Sequence, residues 1–101
     1  MKSSLRLDVS VDARRDFRSI LRYTREVWGE RQRNTYGARL ESAMERLTHY
    51  PFLGEPRDDL RPGLRTRKAS EHIIYYRVDE EAVTVLRLLH HTMDQTKLFK
   101  E

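Results

Sequence analysis

The chain has 101 residues, which leaves room for one domain spanning residues 1–101. It contains 20 lysine and arginine residues against 16 aspartate and glutamate residues, a formal charge of +4, and no cysteine. The lack of cysteine excludes disulfides and thiolate metal sites. No stretch approaches the roughly 18 apolar residues of a membrane span, and the N-terminus has no apolar signal segment, so we expect a cytoplasmic protein without membrane contact.

The first predicted element is a strand over residues 4–10. Leu5, Leu7 and Val9 alternate with polar residues, as in a strand that is buried on one side. This pattern predicts that the N-terminal segment joins a sheet.

A helix is predicted over residues 12–28. Asp12 stands at the N-cap position, and apolar residues from Phe17 to Trp28 follow at helical spacing. Gly29 can adopt the left-handed conformation that ends a helix.

A second helix is predicted over about residues 30–50, and Pro51 ends it. Gly37 lies beside its apolar stripe and should let the two helices approach closely, as an antiparallel hairpin. The stripe consists of Tyr36, Leu40, Ala43, Met44, Leu47 and Tyr50. Residues 51–63 contain three prolines and two glycines and are predicted to form a loop pinned by apolar side chains.

Three strands are predicted over residues 63–70, 71–78 and 82–91, since β-branched and aromatic residues dominate there. Strict alternation places Arg65 and Arg67 on one face of the second strand. In the last strand it places Thr84, Leu86, Leu88 and His90 opposite Val83, Val85, Arg87 and Leu89. Both faces of that strand are apolar, which indicates an interior strand. The many cations in these strands indicate that one sheet face is kept away from the core, and a polar tail over 92–101 ends the chain as a short helix or frayed segment.

The pattern as a whole predicts an α+β fold in the order β-α-α-β-β-β. A helical hairpin packs on one face of a small, mainly antiparallel sheet.

The residue types allow two kinds of catalytic site to be considered, a metal site and a metal-free site for RNA cleavage. A metal site is disfavoured because adjacent residues on a strand, here His90 and His91, point to opposite faces. Metal-free RNA cleavage requires a base, an acid and cations around the phosphate. Residue types suited to it are Arg65, Arg67, Arg87, His72, His90 and Tyr75 or Tyr76, although each of these side chains also has an ordinary structural explanation.

Protein binding is the other class of function that the residues favour. Trp28, Tyr36 and Tyr50, with Phe52 and Leu53, form a stripe that is more apolar than two short helices need. Only four of the cations are lysines, and arginine is suited to bidentate contacts with carboxylate or phosphate. This composition therefore favours an acidic partner, either a protein segment or nucleic acid. The alternative is a charged surface that contacts only solvent.

The order of these motifs resembles the ParE toxins of the ParE/RelE superfamily, found in bacterial type II toxin–antitoxin modules. The resemblance covers roughly residues 5–95. The matching residues are Ile20-Leu-Arg-Tyr23 with Trp28-Gly29 and Gln32, Tyr36 and Leu40, Leu47 with Tyr50-Pro51-Phe-Leu-Gly54, Leu60 with Gly63-Leu-Arg65, His72-Ile-Ile-Tyr-Tyr76, and Val85-Leu-Arg-Leu-Leu-His90 with Met93-Asp94.

The resemblance implies a toxin that poisons DNA gyrase through protein contacts and is neutralised by an acidic, ParD-like antitoxin wrapped around it. Operator DNA is then reached only through the antitoxin. RelE-like relatives are instead ribosome-dependent mRNA endonucleases, and this is the alternative function; its metal-independent catalytic residues would be Arg65, Arg67, Arg87 and His90. Trp28-Gly29 and the loop from Pro51 to Gly54 favour the ParE type.

If the protein inhibits DNA gyrase through protein contacts, we expect no catalytic residue, no cofactor and no metal. The residues expected to contact the antitoxin or the target are Trp28, Tyr36, Phe52, Leu53, Arg65, Arg67, Lys68, His72 and Arg87.

Overall fold

The computed structural model describes residues 4–99, so the last two residues of the predicted tail, 100 and 101, lie outside the described residues. The elements are β1 (Arg6–Val9), α1 (Val11–Trp28), α2 (Glu30–His49), β2 (Glu55–Pro56), β3 (Arg65–Ala69), β4 (His72–Val78), β5 (Ala82–His90) and α3 (Gln95–Phe99). One sheet contains all five strands in the order β1-β5-β4-β3-β2. Among the strands that the structure describes, the β1–β5 pair is parallel and the other three pairs are antiparallel. The predicted α+β fold is confirmed, with β2 as an extra strand inside the region predicted to be a loop.

The N-cap of helix α1 is Ser10 rather than Asp12, so the predicted N-cap was wrong. The Ser10 hydroxyl oxygen accepts a hydrogen bond from the Ala13 amide at 3.0 Å and donates its own proton to the Leu86 carbonyl at 2.9 Å. The Ser10 amide donates to the Val85 carbonyl at 2.9 Å. Ser10 therefore caps the helix and fastens it to β5, which Asp12, inside the first turn, does not do.

The two long helices form the predicted hairpin with one residue between them. Gly29 has φ +96° and links the end of α1 to the start of α2. A Cβ at Gly37 would lie 3.0 Å from a methyl group of Leu21 on α1. The helices thus approach closely at Gly37, as predicted.

The hairpin covers one face of the sheet and buries the main core against it. That core consists of Ala13, Met44, Leu47, Ile74, Tyr76, Val83, Val85 and Leu88. Burial of this apolar surface, at about 25 cal/mol per Å², stabilises the packing of the hairpin on the sheet.

The opposite face carries a second core, so the expectation that one face is kept away from any core was wrong. The loop before β3 and helix α3 fold over this face, and the rings of Tyr75 and Phe99 stack with their centroids 4.7 Å apart. The Tyr75 hydroxyl donates to Oε1 of Gln95 at 2.8 Å. The second core consists of Leu60, Leu64, Tyr75, Leu89 and Phe99.

Strand β5 is an interior strand, as predicted, but its side chains do not alternate strictly. Tyr75 lies opposite Arg87 whereas Tyr76 lies opposite Val85, which leaves Leu86 without a partner residue on β4. This bulge resets the alternation, so Leu88 joins Val83 and Val85 in the main core. The predicted division of β5 into two strictly alternating faces was therefore wrong beyond Leu86.

None of the helices within residues 4–99 is both long and apolar enough to cross a membrane.

Candidate functional site

A groove of about 640 Å³ opens where the tip of the helical hairpin meets one end of the sheet. We call it the aromatic groove. Trp28 and Tyr23 are 69% and 62% exposed, whereas Tyr36 is buried at its inner wall. The lining residues are Tyr23, Thr24, Trp28, Gln32, Tyr36, Glu71, His72 and His90. The groove thus contains four of the predicted site residues, Trp28, Tyr36, His72 and His90. Its other lining residues, Tyr23, Thr24, Gln32 and Glu71, were not predicted as site residues, although Tyr23 and Gln32 belong to the motifs of the resemblance.

The inner wall of the groove is a neutral hydrogen-bonded pair. The Tyr36 hydroxyl lies 2.7 Å from Nδ1 of His72, and it accepts a hydrogen bond from the Glu71 amide at 3.0 Å. Burial, helped by the neighbouring His90, lowers the pKa of His72 from 6.5 to about 4. Burial also raises the pKa of Tyr36. Since His72 is then uncharged at neutral pH, we assign the Tyr36 proton as the donor to Nδ1 of His72.

Phe52 and Arg65 form a second feature at the corner where the loop after α2 meets β3. The Arg65 guanidinium donates to the carbonyls of Phe52 at 3.2 Å and Gly54 at 2.7 Å, and it lies 5.1 Å from the centre of the Phe52 ring. The Phe52 ring is 67% exposed, while Leu53 packs against the main core. The corner therefore presents an exposed aromatic ring that makes a cation–π contact with the Arg65 guanidinium.

The outer edge of β3 is basic beyond the end of β2. Strand β2 pairs only with Arg65 and Thr66, so Arg67 and Lys68 extend past it and are exposed. Within the part of the chain that the structure describes, neither forms a salt bridge. We call this two-residue stretch the basic edge; it borders a groove of about 280 Å³ that also contains Leu53 and Ile73.

Arg87 lies apart from these surfaces. Its Nε donates to the Asp16 carboxylate at 2.8 Å, its terminal nitrogen donates to the other oxygen at 3.1 Å, and the Leu88 amide donates to the same carboxylate at 2.9 Å. The Asp16 carboxylate raises the pKa of Arg87. This bidentate pair fixes α1 to the strand edge that β1 leaves uncovered.

The prediction that His90 and His91 point to opposite faces was wrong. Their rings stack with centroids 4.6 Å apart and planes 27° apart. His90 is the last residue of β5, and His91 already belongs to the following turn, where strand alternation no longer applies.

The residues considered for RNA cleavage are divided among several places: His72 and His90 share the aromatic groove, Tyr75 and Tyr76 are buried in the cores, and the arginines lie elsewhere. Arg65 is bound to loop carbonyls, Arg67 lies on the basic edge, Arg87 is paired with Asp16, and His90 lies in the aromatic groove. Acid–base catalysis needs its groups within hydrogen-bond reach of one reacting phosphate. The arrangement is better suited to contacts with a macromolecule than to phosphate chemistry.

Comparison with known proteins gives a consistent match. The sequence matches the family described as "ParE toxin of type II toxin-antitoxin system, parDE" over residues 7–95. Toxin ParE1 of Caulobacter vibrioides is 32% identical over 82 residues, covering 81% of this chain and 84% of that protein. Toxin ParE1 of Mycobacterium tuberculosis is 38% identical over 72 residues, covering 70% and 74%. A solved chain of the chromosomal ParDE system from P. aeruginosa superposes with a TM-score of 0.75 at 18% identity, covering 86% of this chain and 96% of that chain.

Proposed function

Because the chain belongs to the ParE toxin family of type II toxin–antitoxin systems, we propose that it acts in the cytoplasm on DNA gyrase and is neutralised by an acidic, ParD-like antitoxin. The exposed Trp28 carries this proposal: a large aromatic side chain, 69% exposed, lies at the rim of a preformed groove. Such side chains dominate the energetics of protein interfaces.

The distribution of the predicted contact residues supports a partner that wraps around the toxin. Trp28 lies at the hairpin tip, Phe52 at the loop corner and Lys68 on the basic edge. An extended acidic segment can reach separate surfaces of this kind, because a chain that orders on binding covers a large area. Arg65 contacts the Phe52 ring. Tyr36 and His72 form the inner wall of the aromatic groove, and Trp28 lies at its rim.

Arg87 has a different place in this proposal. Since its guanidinium is held by Asp16, it stabilises the fold on which the contact surface is built. Operator DNA is contacted by the antitoxin, with the toxin as part of the repressing complex.

The antitoxin contact can be tested by co-purification with the product of the neighbouring reading frame, which the proposal expects to be a small acidic protein. Lys68→Glu should weaken the complex, whereas Lys97→Glu, an identical charge change on the exposed side of α3, should leave it intact. Trp28→Ala should weaken it by about 2 kcal/mol or more, the scale of an interface hot spot. Val11→Ala is its control, because Val11 is 64% exposed at the opposite end of α1 from Trp28. Equal effects of test and control variants would contradict the assigned surface.

The target can be identified separately by inducing the toxin alone in bacteria. Gyrase-dependent DNA breaks and DNA-damage signalling with intact mRNA are expected. Rapid mRNA cleavage at ribosomes, abolished by His90→Ala or Arg67→Ala, would overturn the gyrase assignment and identify the endonuclease.

A further inference from the structure

A cluster of metal-ligating side chains lies at the end of the sheet, beside the aromatic groove. Glu71, just before β4, and His90 and His91, at the end of β5, each bring one ligand atom to within 4.8 Å of the others. All three are at least partly exposed, so an ion can reach them from solvent. We propose that these residues form a binding site for a divalent transition-metal ion of the zinc class.

Two of the ligands are already placed at the separation that such an ion requires. Nε2 of His91 lies 3.1 Å from Oε1 of Glu71, and the His91 amide donates to the Glu71 carbonyl at 3.0 Å. Two ligands of a tetrahedral zinc ion, each about 2.0–2.1 Å from the metal, lie roughly 3.3 Å apart. The backbone bond holds the two residues side by side, and their side-chain atoms already lie near the spacing of a metal site.

The third ligand is oriented by a neighbouring oxygen. Nδ1 of His90 lies 2.8 Å from Oγ1 of Thr92. Nδ1 also accepts the Thr92 amide at 3.3 Å, so Thr92 holds this edge of the imidazole ring, and a metal would bind at Nε2. Second-sphere contacts of this kind orient histidine ligands.

The donor set selects the class of ion. Two imidazoles and one carboxylate suit zinc and its first-row neighbours, whereas magnesium and calcium prefer oxygen ligands alone. Three protein ligands leave a fourth position for water. Because Glu71 and His90 also line the aromatic groove, that position lies next to the surface proposed to contact the partner.

Such an ion would join the residue before β4 to the turn after β5. Metal bound only by the folded state stabilises that state by mass action. The ion would therefore clamp the open end of the β4–β5 hairpin, independently of whether gyrase is the target.

The test is a zinc titration of the full chain, purified without a histidine tag and stripped with a chelator. One zinc ion per chain is expected by calorimetry, with a rise in melting temperature that EDTA reverses, and magnesium should have neither effect. His90→Gln and His91→Gln should each weaken zinc binding by about tenfold or more. His49→Gln removes an exposed histidine at the end of α2 and should leave binding unchanged.

The opposite results are equally clear. If zinc does not bind, or if His90→Gln and His91→Gln bind it as the unaltered chain does, Glu71 and His91 form only a surface ion pair. Loss of binding in His49→Gln would likewise overturn the assignment. Should a histidine variant fold poorly by circular dichroism, Glu71→Gln tests the same site with an isosteric change at an exposed position, and undiminished zinc binding by it would reject the proposal.

Discussion

The hydroxyl of Tyr36 on α2 lies 2.7 Å from Nδ1 of His72 on β4 and so connects the helical hairpin to the sheet. The same oxygen accepts the Glu71 amide. One side chain therefore satisfies two polar groups at the inner wall of the aromatic groove, and removing its hydroxyl leaves both without that partner.

Tyr36→Phe should lower the free energy of unfolding by about 1–2 kcal/mol, because the Glu71 amide and Nδ1 of His72 lose a partly buried hydrogen-bond partner. Urea denaturation measures the change. Tyr23→Phe is the matched control; Tyr23 is 62% exposed, so its effect should stay within about 0.5 kcal/mol. Equal losses in the two variants would show that the Tyr36 hydroxyl does not connect the elements.

Stability should depend on pH through His72. Its pKa is about 4 in the folded state against 6.5 in the unfolded chain, so the unfolded chain takes up a proton first as the pH falls. The contribution of neutral His72 is therefore complete above about pH 6.5 and is lost progressively as the pH falls from there toward about 4. Urea midpoints between about pH 7 and pH 5 should fall more steeply in the unaltered chain than in His72→Gln. Parallel profiles would contradict this, because carboxylates affect both proteins alike.

Asp16→Asn should lower the free energy of unfolding by about 2–3 kcal/mol, since Asp16 binds both the Arg87 guanidinium and the Leu88 amide in a mostly buried site. Asp12→Asn removes a carboxylate from the same helix, where it forms only an exposed pair with Arg15 at 3.7 Å. Its cost should be below about 0.5 kcal/mol. Thermal denaturation of both variants gives the comparison, and similar melting temperatures would show that the Asp16 pair adds little.

Gly54→Ala should be strongly destabilising, by about 2–4 kcal/mol. A Cβ there would lie 2.5 Å from the Thr66 carbonyl and 2.6 Å from the Tyr76 hydroxyl, both held by the surrounding structure. Gly37→Ala is the comparison, because its Cβ meets only the flexible end of Leu21 at 3.0 Å and gains helix propensity of about 1 kcal/mol. It should remain within about 1 kcal/mol of the unaltered chain. In urea denaturation, Gly54→Ala should have a clearly lower midpoint than Gly37→Ala. Equal midpoints would contradict the close contacts assigned to Gly54.

The regular elements were predictable because their patterns are local. The period-2 spacing of Leu5, Leu7 and Val9 identified β1, and Gly29 and Pro51 marked the ends of α1 and α2. The features that escaped prediction depend on distant residues. Ser10 became the helix cap because β5 offers its carbonyls to it, and β2 pairs although Pro56 and its neighbours read as a loop.

The surfaces were predictable only in part for the same reason. Trp28 and Phe52 were selected as surplus apolar residues, and both are exposed. Nothing in the sequence around Arg87 shows that Asp16 holds it, because the two residues meet only when α1 crosses β5. The bulge at Leu86 likewise has no local sequence signal, so the alternation that follows it could not be read correctly.

The position of β5 between β1 and β4 has a consequence for how the chain folds. β1 has no partner in the described sheet other than β5, and Arg6 must meet Ala82 across most of the sequence. A nascent chain can form its two long helices early. The sheet on which their apolar side chains pack is complete only when β5 has formed. Such long-range pairing slows folding and makes it depend on the last strand to be synthesised. A chain built in this way completes its main core only after β5 has been made.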